Sequence, residues 1–128
     1  MIKLITAFLM IGMLVSCGDD SDTSLVGDWE LIEILSDPGD GSGTYQSVDS
    51  DKILTFKIDG TVTSNGSLCD LSIDTEMMTS GTYSETDSTF KSADCPNPDF
   101  NYRFIQDGNK LTINFPCFEP CGARYKKL

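Results

Sequence analysis

The sequence predicts an all-β domain over residues 25–128, a small antiparallel up-and-down β-barrel of about eight strands. Three observations predict it. Short runs of alternating apolar and polar residues follow one another at hairpin spacing, turn residues separate them, and no stretch sustains a helical period. A meander of eight strands can close on itself and so remove its exposed edges. The same strands joined by Greek-key crossings would make a two-sheet β-sandwich, and pattern alone leaves both arrangements open.

The strands can be taken in order. Val26 to Leu35 is rich in β-branched and large apolar residues, and it ends in the loop Asp37-Pro38-Gly39-Asp40-Gly41-Ser42-Gly43. Lys52 to Ile58 places Leu54, Phe56 and Ile58 on one face. Asp59-Gly60 then leads into Thr61-Val62-Thr63, and Asp-Gly between two such runs is among the stronger short-range hairpin signals. Ser80 to Glu85 and Ser88 to Ser92 form a second hairpin, carrying Tyr83 and Phe90. Phe100, Tyr102 and Phe104 alternate, and Asp107-Gly108-Asn109 turns the chain into Lys110 to Phe115, where Leu111, Ile113 and Phe115 share a face. Ala123 to Leu128 follows Gly122 as the last run.

Residues 1–16 are of another kind. Lys3 is their only charge, and the stretch Leu4 to Val15 is apolar except at Thr6 and Gly12. Such a run is short for a membrane span and has the make-up of a secretory signal peptide. It leads directly to Leu14-Val15-Ser16-Cys17-Gly18, which resembles the lipobox of bacterial lipoproteins. That resemblance implies diacylglycerol on Cys17, cleavage just before it, and a membrane as partner through two or three acyl chains, enough for stable anchoring. Residues 17–24, the lipidated cysteine followed by Gly18-Asp19-Asp20-Ser21-Asp22-Thr23-Ser24, read as a polar tether. Acids just after the cysteine also resemble the export signal of surface lipoproteins in Bacteroidetes, so the expected location is the cell envelope, at the outer membrane.

Charge and cysteines agree with an exported domain. Without residues 1–16 the chain has 8 bases against 20 acids, so nucleic acid is excluded as a partner, since binding it depends on basic side chains that displace counterions. Beyond Cys17 the cysteines are Cys69, Cys95, Cys117 and Cys121. An even number in a small exported domain reads as a disulfide framework. Zinc is the other reading. It is disfavoured because Cys117 and Cys121 have no matching close pair and the chain has no histidine. Four cysteines allow three pairings. Cys117 and Cys121 lie in a tight connection between the last two strands, while Cys69 and Cys95 lie in two long connections, which favours Cys69 with Cys95 and Cys117 with Cys121.

The same residues argue against an enzyme. With no histidine, neither a Ser-His nor a Cys-His pair can form, and Gly39, Gly41 and Gly43 precede no helix whose N-terminus could bind phosphate. No cofactor or metal is expected. The nearest metal candidate is Asp37, Asp40, Asp49 and Asp51 around the glycine-rich loop, which could supply oxygens to Ca²⁺. Their spacing does not match an EF-hand, and Asp-Gly runs are ordinary loop chemistry.

Gly27-Asp28-Trp29 resembles the Gly-x-Trp motif that opens lipocalins. Together with Leu25 to Leu31, the stretch Leu54 to Val62 and the closing Lys110-Leu111-Thr112-Ile113, it is similar to the lipocalin-like lipoproteins of Bacteroidetes. The resemblance implies a lipocalin-like barrel, with Arg124 packed across Trp29 at the closed end. It implies a small apolar ligand within, lined by Trp29, Phe56, Tyr83, Phe90, Tyr102, Phe104 and Phe115. Asp87-Ser88-Thr89 resembles an O-glycosylation sequon of the same bacteria. The chain is shorter than classical lipocalins and lacks their long C-terminal helix. Its many large side chains could themselves fill an eight-stranded barrel. Two functions follow: a monomeric barrel holding an apolar molecule, or a filled barrel serving as a cell-surface interaction or structural module.

Overall fold

The computed structural model describes residues 24–128. Cys17 and the expected signal peptide lie outside these residues. Nine strands form one antiparallel sheet: β1 (Gly27–Ser36), β2 (Gln46–Ser47), β3 (Ile53–Phe56), β4 (Thr61–Ser64), β5 (Thr79–Ser84), β6 (Thr89–Lys91), β7 (Tyr102–Asp107), β8 (Lys110–Asn114) and β9 (Cys121–Lys127). Each strand from β3 to β9 pairs with the next, and β9 returns to pair with β1. That last pairing closes the sheet and decides for the barrel over the sandwich. Eight strands make the barrel, in up-and-down order, as the lipocalin resemblance implies. The two-residue β2 lies outside the ring, against Glu33 and Ile34 of β1.

The hairpins follow from local chemistry. Between β3 and β4, the Lys57 N–H donates to the Thr61 carbonyl and the Gly60 N–H to the Lys57 carbonyl, with Gly60 at φ +88°. This is a type I turn closed by a glycine in the left-handed region, where a Cβ would be strained. The Asp59 carboxylate accepts from the Thr61 N–H at 3.0 Å and from its hydroxyl at 2.6 Å. Those bonds, the hydroxyl's first, hold its pKa below the usual carboxylate value. Because β3 ends at Phe56, Ile58 belongs to this turn and is 91% exposed, whereas Leu54 and Phe56 are buried.

Strand alternation places the core. Trp29, Leu31, Leu54, Phe56, Val62, Phe90, Tyr102, Phe104, Leu111, Ile113, Ala123 and Tyr125 all point inward and are buried. A bulge between Leu31 and Glu33 shifts β1 by one residue against β9, so Ile34 rather than Glu33 continues the inner face.

The up-and-down order makes the two ends unlike. One end has the tight turns 57–60, 85–88 and 107–110 together with the chain entering at Ser24 and the end of β9. The other has the long connections 37–52, 65–78, 92–101 and 115–120. Both disulfides are at this second end. Cys69–Cys95 joins two of the long connections, and Cys117–Cys121 staples the link between β8 and β9, with Cα separations of 5.5 and 6.0 Å.

Candidate functional site

The aromatic residues read as a ligand lining are in contact with one another. Phe56 meets Tyr83 edge-on with centroids 5.0 Å apart and Phe104 at 5.6 Å. Phe90 stacks on Tyr102 at 5.1 Å, and Tyr102 in turn meets Phe100 at 4.9 Å and Phe115 at 5.9 Å. These are separations of favourable ring pairs. Trp29 is fully buried, its indole N–H donating to the Leu25 carbonyl at 2.9 Å. Phe56, Phe90, Tyr102 and Phe104 are buried beside it, and Tyr83 and Phe115 are partly buried at the margin. Burial raises the phenol pKa of Tyr125 far above its ordinary value, with the Asp70 carboxylate adding to it. The inner face is therefore occupied by this protein's own rings.

At the second end, the connection 65–78 folds inward. Leu68 is buried in the core, Cys69 and Leu71 pack against it, and the Leu68 N–H donates to the Thr79 hydroxyl at 3.0 Å. Lys52 ties this connection down. Its side chain is buried, and its ammonium donates to the Ser72 carbonyl at 2.8 Å. Desolvation lowers its pKa to about 8, with the Asp70 carboxylate opposing. Beside it, the Ser50 hydroxyl donates to the Ile73 carbonyl at 2.7 Å.

Arg124 is not placed as the resemblance implies. It faces outward on β9, its guanidinium carbon 3.6 Å above the Tyr45 ring and Nη1 3.4 Å from the Glu33 carboxylate. The cation over Trp29 is Lys127, with Nζ 5.4 Å from the ring centroid and donating to the carbonyls of Ser24 and Val26. Strand parity explains the exchange. Lys127 lies directly opposite Trp29 and has Tyr125 two residues before it on the inner face, whereas Arg124 has the opposite parity.

The acidic loop builds no metal site either. One oxygen of Asp37 accepts from the N–H groups of Gly39 at 2.7 Å and Gly41 at 3.1 Å, and the other from Gly43 at 2.8 Å. Those bonds, Gly39's first, hold its pKa below the usual value. Asp40 is turned to the Ser42 hydroxyl and N–H. Asp49 and Asp51 line a separate shallow concavity with Asp74 and Glu76. Among the described residues no three His, Cys, Asp or Glu side chains converge on one point that could hold a metal ion. The Asp37 and Asp40 carboxylates cap loop backbone, as Asx turns do.

Comparison with known proteins finds no matching family model, no similar curated protein and no similar solved structure. The reading therefore rests on this chain's own residues. In Asp87-Ser88-Thr89, Asp87 and Ser88 lie on the turn between β5 and β6 and Thr89 opens β6, with Asp87 exposed, Ser88 and Thr89 half-buried, and Ser88 at φ +54°. The exposed apolar side chains of the second end are Phe118, on the stapled link, and Met77, Met78 and, less fully, Ile73, on the connection before β5. Asp37 bonds through its N–H to the Pro120 carbonyl at 3.2 Å, so the glycine-rich loop and the stapled link adjoin.

Tyr45, Lys52 and Lys127 were not singled out by the sequence. For Lys52 and Lys127 a signal was present, because each has the parity of the inner-face residues beside it. For Tyr45 there was none.

Proposed function

We propose that this chain is a non-catalytic envelope lipoprotein, lipocalin-like in architecture, anchored through Cys17, whose filled barrel presents its long connections to a partner. The observation that carries this reading is the mutual packing of Phe56, Tyr83, Phe90, Tyr102, Phe104 and Phe115. Rings already engaged with one another weigh against a resident apolar ligand. The Cys69–Cys95 and Cys117–Cys121 crosslinks favour a rigid display of the second end, which reduces the ordering cost of binding. The lipobox string Leu14 to Gly18 supports the anchor, and an oxidising compartment suits two disulfides.

Two measurements test the reading. Titration with a fluorescent fatty acid should give no saturable binding and no change in Trp29 emission; saturable binding that alters that emission would restore the ligand-carrying barrel. For the anchor, intact-mass analysis should find acyl chains on Cys17 and their loss in Cys17→Ala. A mature chain without that mass would overturn the anchor.

A further inference from the structure

We infer that the tight-turn end of the barrel is a membrane-facing surface, seated on an anionic bilayer through Ile58 and Leu128 with the ammonium groups of Lys57, Lys110 and Lys126. The inference rests on the anchor proposed above and adds to it an orientation and a contact.

The first argument is where the chain enters. Ser24 and β1 begin at the tight-turn end. Six residues separate Cys17 from Ser24, and a chain of that length spans at most roughly 25 Å. An acyl-anchored Cys17 therefore keeps this end near the lipid.

The second argument is charge. The connections 37–52, 65–78, 92–101 and 115–120 together carry ten acids and one base, and that base is the buried Lys52. The tight turns 57–60, 85–88 and 107–110 with the terminal segments 24–28 and 126–128 carry five acids and four bases. Within the folded barrel one end is strongly acidic and the other is close to neutral, and Asp19, Asp20 and Asp22 of the tether precede the barrel in either orientation. Anionic lipid gives the surface a negative potential that attracts nearby Lys side chains and decays over about 8 Å at physiological salt. With the tight-turn end down, the acidic end stands beyond that range. With the acidic end down, its ten acids would be repelled.

The third argument is apolar exposure. Ile58 is 91% exposed and Leu128 68%. They flank the start of β1, Ile58 from the turn after neighbouring β3 and Leu128 from beyond β9, where its N–H donates to the Asp28 carbonyl at 3.0 Å. Lys57 adjoins Ile58, and Lys110 lies directly opposite Lys126 on β8 and β9, in a row that Glu30 and Asp107 continue on either side. Apolar tips beside ammonium groups suit an interface, the tip entering the acyl boundary while the ammonium reaches phosphate. Phe118, Met77 and Met78 are equally exposed at the other end, so exposure alone does not choose. Charge and chain entry do.

The test uses the full acylated chain in vesicles of phosphatidylethanolamine and phosphatidylglycerol with brominated acyl chains, which quench a tryptophan at the bilayer. Two variants at exposed positions, Ile58→Trp and Phe118→Trp, report the two ends over the constant background of buried Trp29. The expected result is strong quenching of Ile58→Trp and none of Phe118→Trp. Adding Lys57→Glu, Lys110→Glu and Lys126→Glu should reduce the first. Quenching of Phe118→Trp as deep as that of Ile58→Trp overturns the orientation. So does an unquenched Ile58→Trp on protein whose Cys17 acyl mass is present, and in that case the anchor still stands. If the acyl mass is missing, the anchor falls, and the orientation with it.

Discussion

Lys127 holds its ammonium 5.4 Å from the centre of the Trp29 ring, and the two residues stand directly opposite across β1 and β9. The same ammonium donates to the Ser24 and Val26 carbonyls, tying the entering chain to the closed end of the barrel. A cation over an indole contributes about 0.5–1 kcal/mol where exposed, and charged hydrogen bonds add about as much again or more. Lys127→Met should therefore cost about 1–2 kcal/mol and shift Trp29 emission. Arg124→Met should leave that emission unchanged, because Arg124 lies over Tyr45. An emission shift in Arg124→Met and not in Lys127→Met would return Arg124 to the closing role.

Phe104 tests whether the interior is filled. It is buried and meets Phe56 at 5.6 Å. Phe104→Ala should cost about 3–5 kcal/mol and leave an apolar void that takes up a small aromatic probe, as dry engineered cavities do. The unsubstituted protein should take up none, by equilibrium binding or ligand-induced change in melting temperature. Equal uptake by both would mean that the space was there already.

The two disulfides should separate by exposure and by loop length. Cys117 is exposed, whereas Cys95 is buried and Cys69 half-buried. A mild dithiol should reach Cys117–Cys121 first, with alkylation and peptide mapping giving the order. On the chain-entropy model, closing the 26-residue separation contributes about 3–4 kcal/mol and the 4-residue one about 2. Cys69→Ser with Cys95→Ser should thus lower the melting temperature more than Cys117→Ser with Cys121→Ser.

Much of this barrel was legible because strand periodicity was. All eight predicted runs are strands of the barrel, and the two Asp-Gly turns fall where predicted. Gln46–Ser47 was missed, since two residues carry no pattern and β2 exists only by pairing with β1. Ile58 had the right parity but lies past the point where Gly60 ends the strand, so it is exposed. The predicted disulfide pairs are those that form, because the up-and-down order brings both long connections to one end. Arg124 failed for a different reason. Its role came from resemblance, while parity, readable from Tyr125 onward, favoured Lys127. Whether the aromatic residues would line a cavity or fill it depends on ring-to-ring distances in three dimensions, and alternation cannot supply those.

Lys52 shows parity prevailing over charge, and it makes stability depend on pH. Its ammonium is buried against the Ser72 carbonyl, and desolvation lowers its pKa from 10.5 to about 8. Below about pH 8 both folded and unfolded chains hold the proton, so the burial penalty, about 3 kcal/mol at one pKa unit per 1.36 kcal/mol, is fully present. Between pH 8 and 10.5 the folded chain releases the proton while the unfolded chain keeps it. The unfolded state then binds more protons, and stability rises with pH by up to about 1.4 kcal/mol per unit. Above about pH 10 the tyrosines reverse the trend, because burial raises the phenols of Tyr102 and Tyr125 in the folded state and they ionise first when unfolded. Urea unfolding should therefore show a stability maximum on the alkaline side. Lys52→Met, of similar length and uncharged, should remove the rise between pH 8 and 10 and be neutral or stabilising at pH 7, where it relieves the buried charge at the loss of one hydrogen bond. An unchanged alkaline rise in Lys52→Met would assign it to another group.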